Sequence, residues 1–342
     1  MAERTRVSIV GGGVAGLALA AALDPGRFAV RVLEAEPERA AFGGALTIWP
    51  AAARALRRLG AGELVARHTH PVDGGTVRDL RTGRALLPSA SARLTIVPRP
   101  DLLAALEARV PDSVVREQVA VDDPGVFDAD LVVGADGVRS RVRELVRGRG
   151  GDRSPTPYLA LRGFSDRPPA PGTVGEYWGG GRLLGVVPVG AGTYWFTTHR
   201  SALGPEPIDP GEALGEVREV FADVAAPAGA LLAQAHADRV VATRIWVAPP
   251  MTRYVRGRYV VIGDAAHAMT PNLGRGANDA ILDAVTLARA LGSRGGLARW
   301  QARRLPFTQG ARVASGAVMR VALGGLPPGR RGEPRAATRP DR

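Results

Sequence analysis

Tyr259 to Leu291 reads Y-V-V-I-G-D-A-A-H-A-M-T-P-N-L-G-R-G-A-N-D-A-I-L-D-A-V-T-L-A-R-A-L. Tyr259 to Ile262 is a short β-rich apolar run that stops at Gly263, the pattern of a strand buried on both faces. From Ala277 the apolar residues fall at Ala277, Ala280, Ile281, Ala284, Leu287, Ala288 and Leu291. That is helical spacing, and Gly292 and Ser293 end it. The loop between strand and helix holds an acid at the strand end, Asp264, and a Gly-Arg-Gly-Ala-Asn segment that opens the helix. Gly274 and Gly276 carry no side chain, so backbone N–H groups and the positive helix end can face an anionic or carbonyl-rich ligand.

A second unit of the same kind lies at the N-terminus. Val7 to Val10 reads as a strand, Gly11-Gly12-Gly13-Val14-Ala15-Gly16 as a turn, and Leu17 to Leu23 as an apolar helix stopped by Asp24-Pro25-Gly26. Phe28 to Leu33 is a second strand with Glu34 at its end. In this dinucleotide fingerprint Gly11 allows the turn, Gly13 lets backbone approach a pyrophosphate, and Gly16 permits close helix packing, while Glu34 stands near the spacing of an acid that binds ribose hydroxyls. The motif alone does not separate NAD from FAD. A third turn follows the apolar run Leu131-Val132-Val133-Gly134, where Asp136-Gly137 precedes a basic helix start, and an Asp beside a glycine turn can bind hydroxyls or pin the turn internally.

Composition removes many alternatives. The 342 residues are enough for about two domains. There is no Cys and no Lys, which excludes disulfides, thiolate nucleophiles, cysteine-held clusters, Schiff bases and the P-loop lysine. A formal charge of +12 could point to nucleic acid, but the Arg residues are scattered, and a nucleic-acid partner is not expected. No run approaches the roughly 20 apolar residues of a membrane span, and the N-terminus lacks the regions of a signal peptide, so a cytoplasmic chain with no membrane partner is expected. His68, His70, His199 and His236 show no metal-ligand spacing.

Gly263 to Asn278 resembles the G-D-A-A-H-x-x-x-P-x-x-G-x-G-x-N segment of class A FAD-dependent monooxygenases, the aromatic-hydroxylase family with the para-hydroxybenzoate hydroxylase-like fold. The family usually has Gln where this chain has Arg275. The N-terminal fingerprint, the turn at Asp136 and this segment occur in family order over nearly the whole chain. The resemblance implies an α/β protein with a Rossmann-like FAD-binding domain, a discontinuous β-sheet substrate domain and a short C-terminal helical segment. Residues 1–70, 95–150 and 253–300 would form the first, 71–94 and 151–252 the second, and 301–323 the helix, with 324–342 expected to be disordered.

It also implies site residues. Gly11, Gly13, Val14, Ala15, Gly16, Glu34 and Ala35 would hold the adenosine and pyrophosphate side of FAD. Arg39 is a candidate for the flavin or nicotinamide phosphates, or a solvated surface residue. Arg99, which opens an R-x-x-L-x-x-x-L helix start, would contact FAD or make a surface salt bridge, and Val119 would offer a backbone contact to adenine. Asp136 would support FAD and lie on the NAD(P)H approach. Asp264 would accept from the ribityl chain, and Gly274, Arg275, Gly276, Ala277 and Asn278 would line the flavin. Pro271 and Arg275 are the candidate catalytic positions, with the Arg275 charge expected to favour reduced flavin unless Asp279 or solvent screens it. His267 reads as structural or cofactor-side rather than a general base.

The implied activity is monooxygenation. NADH or NADPH reduces FAD, O2 gives a flavin C4a-hydroperoxide, and one oxygen passes to an electron-rich, aromatic small molecule by hydroxylation or epoxidation. A halogenase, an alkene reductase and a flavin-binding protein without turnover are the alternatives. The halogenase W-x-W-x-I-P is absent. A compressed stretch between Val110 and Asp130 and a short C-terminus depart from the family pattern. Among aromatics, Tyr177, Trp178, Tyr194, Trp195 and Phe196 cluster in the expected substrate domain, as core or as pocket lining.

Overall fold

Five parallel strands and one antiparallel edge strand make the first sheet, in the order Val255–Arg256, Tyr259–Val261, Leu131–Gly134, Thr5–Val10, Phe28–Glu34 and Val115–Gln118. This computed structural model describes residues 3–36, 43–73, 75–87, 93–148, 153–204 and 206–324. Thr5–Val10 is central, pairing Val7 with Val30 on one side and Leu131 on the other. Val7, Ile9, Val132, Val133, Val260 and Val261 are all buried, which is why these strands read as continuous apolar runs rather than alternating ones. The helices Val14–Ala22 and Gly276–Leu291 pack against each other along this sheet. Their first turns meet at Gly263, where an added Cβ would fall 3.0 Å from the Ala15 Cβ and 3.2 Å from that of Ala280.

The second sheet has seven strands: Val240–Val247, Ser154–Ser165, Gly192–Arg200, Arg182–Val189, Gly175–Gly179, Thr76–Asp79 and Ala85–Leu87. Here the strands alternate, because their two faces meet different partners. Leu159, Leu161, Tyr177 and Trp195 join Ala213, Leu214, Val217 and Phe221 in one core with the helix Pro210–Val220. On the opposite face Ala160, Leu183 and Ile245 pack against Met319, Ala322 and Leu323 of the C-terminal helix. A small third sheet, Ala45–Ile48, Arg93–Pro98 and His70–Asp73, is absent from the sequence reading. Chain segment 71–94 therefore feeds two sheets, the hairpin Thr76–Asp79 and Ala85–Leu87 joining the large one.

Other elements differ in extent. The C-terminal helix is continuous from Gly296 to Gly324, starting earlier than the expected 301 and running through Pro306. Gly295, at φ 68°, turns the chain into it, which sequence periodicity does not register. Asp264 does not end in open loop but begins a helical turn, Asp264–His267. The tail from 325 and Arg39 lie outside the described residues.

Candidate active site

The first turn is made by sterics. Gly11 has φ 106°, and a Cβ there would fall 2.3 Å from the Ala135 carbonyl oxygen. A Cβ on Gly16 would fall 1.9 Å from the Gly11 carbonyl oxygen, so only glycine lets the helix sit this close to the strand. Gly13 is different: it is extended, at φ −78° and ψ −168°, and an added Cβ would meet nothing within 4 Å. Its face is open. It stands at the N-cap of Val14–Ala22 without a side-chain cap, leaving the first-turn N–H groups of Val14, Ala15 and Gly16 without a capping side chain. Glu34 reaches back across the turn, its carboxylate accepting from Gly12 N at 2.6 Å and Glu36 N at 2.9 Å.

Gly11, Gly13 and Glu34 line a cleft of about 890 Å³ together with Ala35, Arg99, Val119 and the turn from Ala135 to Arg139, while Val14, Ala15 and Gly16 stand behind that lining. Val119 is tied by its N–H to the Glu34 carbonyl at 3.0 Å and is partly exposed. Asp136 Oδ2 accepts from Arg141 N at 2.7 Å and Val142 N at 3.3 Å, while Oδ1 is buried and without a hydrogen-bond partner. Burial raises the Asp136 pKa, against the opposing pull of Ser140 and the two N–H groups. Arg143 is spent on structure, donating to the carbonyls of Ala265 at 2.9 Å and Val138 at 2.6 Å, so it joins this turn to the Asp264–His267 helix. Arg139 pairs with Glu206 at 2.7 Å, and Arg153 lies 4.0 Å over the Trp246 ring at the cleft rim.

Asp264, Gly274, Arg275, Gly276, Ala277 and Asn278 do not line that cleft; they stand beside it. Arg99 connects the two, since it lines the cleft while the charges of both Asp264 and Glu34 act on its guanidinium. Burial lowers the Arg99 pKa and those two carboxylates oppose the change. Gly274, at φ 57°, closes the loop after Pro271–Leu273, and Gly276 opens the helix with no side-chain cap on its first turn. Asn278 is used by the protein itself: its Oδ1 accepts from Trp49 N at 2.8 Å and its Nδ2 donates to the Thr47 and Gly274 carbonyls, both at 2.7 Å. Its side chain therefore fixes the loop shape, leaving backbone as the part that can face a ligand.

Beneath this loop runs a buried charge network that the sequence reading did not assemble. Arg275 Nε and Nη2 each lie 3.0 Å from the Asp279 carboxylate, and its guanidinium sits 4.7 Å over the Phe307 ring. Arg304 Nη2 reaches Asp279 at 3.1 Å and Nε reaches Asp283 at 2.6 Å. Asp283 Oδ2 also accepts from Gly263 N at 3.0 Å and stands 2.7 Å from His267 Nε2. Burial alone would lower the His267 pKa, but Asp283 overrides it and the net shift is upward; Asp283 is held down by His267 and Arg304 against its own burial. Asp279 and Asp283 fall outside the helix's apolar stripe, so the sequence pattern gave no sign that both are buried.

The large sheet carries further aromatic side chains on the face that also meets the C-terminal helix. Arg162, Phe164, Tyr194 and Phe196 share that face, with ring centroids 5.1 Å apart for Phe164 and Tyr194 and 5.7 Å for Tyr194 and Phe196. Arg162 Nη1 donates to Thr243 Oγ1 at 2.9 Å, and no carboxylate pairs with it among the described residues. Tyr194 is buried, which raises its pKa against the nearby Arg162 charge. Gly44 abuts it, since an added Cβ would fall 2.1 Å from the Tyr194 hydroxyl. Trp195 and Tyr177 point into the opposite core, and Trp178 and Phe196 pack partly on the C-terminal helix.

Two neighbouring uncapped helix starts, an open-faced Gly13, an acid at the second strand end and an unsatisfied buried carboxylate oxygen fit an extended dinucleotide with hydroxyls and phosphates. Fold and site thus define a dinucleotide-binding α/β protein with aromatic side chains on one face of its large sheet. The chain matches the FAD binding domain family over residues 112–307. It is 32% identical over 337 residues to the aurachin C monooxygenase/isomerase of Stigmatella aurantiaca, covering 87% of this chain and 85% of that one. With the salicylate hydroxylase of Pseudomonas putida it shares 31% over 361 residues, covering 90% and 80%. Klebsiella pneumoniae HpxO, solved with FAD and uric acid, has the same fold at a TM-score of 0.81 and 24% identity, covering 94% of this chain and 89% of that one. The chain belongs to the class A FAD-dependent monooxygenases. It is a flavoprotein oxidoreductase that uses NAD(P)H and O2. No helix among the described residues is long and apolar enough to cross a membrane.

Proposed function

We propose that this monooxygenase holds FAD noncovalently between the turns at Gly11–Gly16 and Gly263–Asn278, and inserts oxygen into an electron-rich aromatic small molecule seated against Arg162, Phe164, Tyr194 and Phe196. The division into a cofactor domain (1–70, 95–150, 253–300) and a substrate domain (71–94, 151–252) belongs to the same reading, as does a cytoplasmic setting. The observation that carries it is the corner where Gly44 meets the Tyr194 hydroxyl, because there the aromatic sheet face and the cofactor side of the molecule come together.

FAD supplies the electron transfer and the activation of O2; the chain's residues position and shield. Val14, Ala15 and Gly16 offer N–H groups to a pyrophosphate, Glu34 exchanges its Gly12 contact for ribose hydroxyls, and the free Asp136 Oδ1 accepts from a hydroxyl. Asp264 serves the ribityl chain. Pro271, Gly274 and Gly276 shape the backbone along the reacting edge. At the cleft rim, Arg139 and Arg153 suit the phosphates of the nicotinamide donor. The aromatic wall excludes water and stacks a planar substrate, while Arg162, without an acid partner among the described residues, steadies an electron-rich oxygen.

The test is NAD(P)H oxidation by the FAD-loaded protein with and without a panel of phenols, quinones and other polycyclic aromatics. The expected result is acceleration by at least one of them, with an oxygenated product. A rate indifferent to all of them, with every reducing equivalent recovered as peroxide, would refute it.

A further inference from the structure

The loop from Gly263 to Gly276 is gripped at both ends by one side chain from the next helix along the chain. Arg304, on the helix Gly296–Gly324, is nearly buried and uses two faces of its guanidinium on two different acids. Through Asp283, at 2.6 Å, it reaches the start of the loop, since the same carboxylate accepts from Gly263 N and meets His267. Through Asp279, at 3.1 Å, it reaches the loop's end, since that carboxylate holds Arg275, the residue before the helix start. Both acids are fully buried, so neither can find solvent in place of the arginine. Arg304 Nη2 also approaches the Asp279 carbonyl at 3.3 Å, adding a backbone tie to the first turn of the helix.

We propose that Arg304 is a positioning residue for the cofactor: by clasping Asp283 and Asp279 it fixes the spacing between the Asp264 turn and the helix start at Gly276, and with it the affinity and reduction potential of the flavin. The inference rests on the reading that this loop faces FAD. Its physical basis is twofold. A planar fork can hold two carboxylates at set directions, which a lysine ammonium, a point charge, cannot do equally. Removing it also leaves two buried carboxylates short of one positive charge beside the helix start, which opposes the gain of negative charge on reduction.

The experiment compares wild type, Arg304→Lys and Arg304→Ala. It follows the FAD Kd of the apoprotein by flavin fluorescence, the flavin potential against a reference dye, and the thermal midpoint without FAD. Both variants are expected to bind FAD at least tenfold more weakly and to have a lower potential. Millimolar guanidinium should restore Arg304→Ala toward wild type, while equal sodium chloride should not. A variant whose midpoint falls while FAD Kd and potential stay at the wild-type values would overturn the proposal and make Arg304 a brace of the fold only. If Arg304→Ala does not fold, Arg304→Lys decides by the same two readouts. A wild-type apoprotein that binds no FAD would instead overturn the reading on which the proposal rests.

Discussion

The two glycine turns beside the cleft do similar work by different physics. At Gly11–Gly16 the shape is dictated by steric contacts: a Cβ on Gly11 would strike the Ala135 carbonyl oxygen at 2.3 Å and one on Gly16 the Gly11 carbonyl oxygen at 1.9 Å, and no ion pair supports the turn among the described residues. At Gly263–Asn278 the backbone also needs glycine, with φ 58° at Gly263 and 57° at Gly274, but its position depends on buried charges from two helices. The first turn is held by backbone sterics, from its own unit and from the Ala135 turn, and the second is a joint whose geometry answers to the C-terminal helix.

Asp283→Ala should have the largest effect. It leaves Gly263 N, His267 and Arg304 without their shared acceptor, and loss of one member of a buried charge pair costs about 3–5 kcal/mol. Chemical denaturation of the apoprotein checks this, and a loss below about 1 kcal/mol would break the contrast with the first turn. Next comes a pair within the first turn. Gly16→Ala should cost about 1–3 kcal/mol through overpacking. Gly13→Ala, with open space around it, should leave stability within about 0.5 kcal/mol yet weaken FAD about tenfold. Equal effects of the two in both assays would mean that Gly13 does not face the cofactor.

The third effect is a pH dependence confined to the second turn. His267 is raised in the folded state, so its contribution is complete below its unfolded pKa and is lost as pH rises through the folded one. Asp283 is lowered, so its contribution is present above its unfolded pKa and lost as pH falls through the folded one. The thermal midpoint should therefore decline on the alkaline side of the ordinary histidine range, with Asp264, Asp279, Arg304 and Tyr254 as the other charged or titratable neighbours. His267→Gln should remove that decline, whereas an unchanged profile would show that the imidazole is neutral throughout. Smallest is Arg275→Gln. Because Asp279 holds and solvent partly screens this guanidinium, the flavin potential should fall by no more than about 20 mV.

This contrast also explains what could be read from the sequence. The strand-turn-helix-strand shape of the first turn was legible, because Gly11, Gly13, Gly16 and Glu34 lie in one βαβ unit and the spacing carries the geometry; the packing of Gly11 on Ala135 and the Glu34 contact to Gly12 N were not. The Asp136 turn and the strand-loop-helix of 259–291 were legible for the same reason. The roles of Asn278 and Arg275 were not, since the amide is spent on Trp49 and Thr47, some 230 residues away in sequence, and the guanidinium on Asp279. Arg304 gave no signal at all: in a chain where every basic residue but histidine is arginine, one that bridges two buried acids looks like any surface cation. Likewise the small sheet of Ala45–Ile48, Arg93–Pro98 and His70–Asp73 exists only through tertiary pairing of short strands.

The central claim is that NAD(P)H oxidation is coupled to insertion of one atom of O2 into an aromatic held beside both turns, the other atom leaving as water. It is tested most directly by turnover of the FAD-loaded protein under ¹⁸O2 with the aromatic that most accelerates NAD(P)H oxidation. The account predicts one labelled oxygen atom in the product per NAD(P)H consumed, with little peroxide. Product free of label, or peroxide equal to the NAD(P)H oxidised with every aromatic tried, would contradict it.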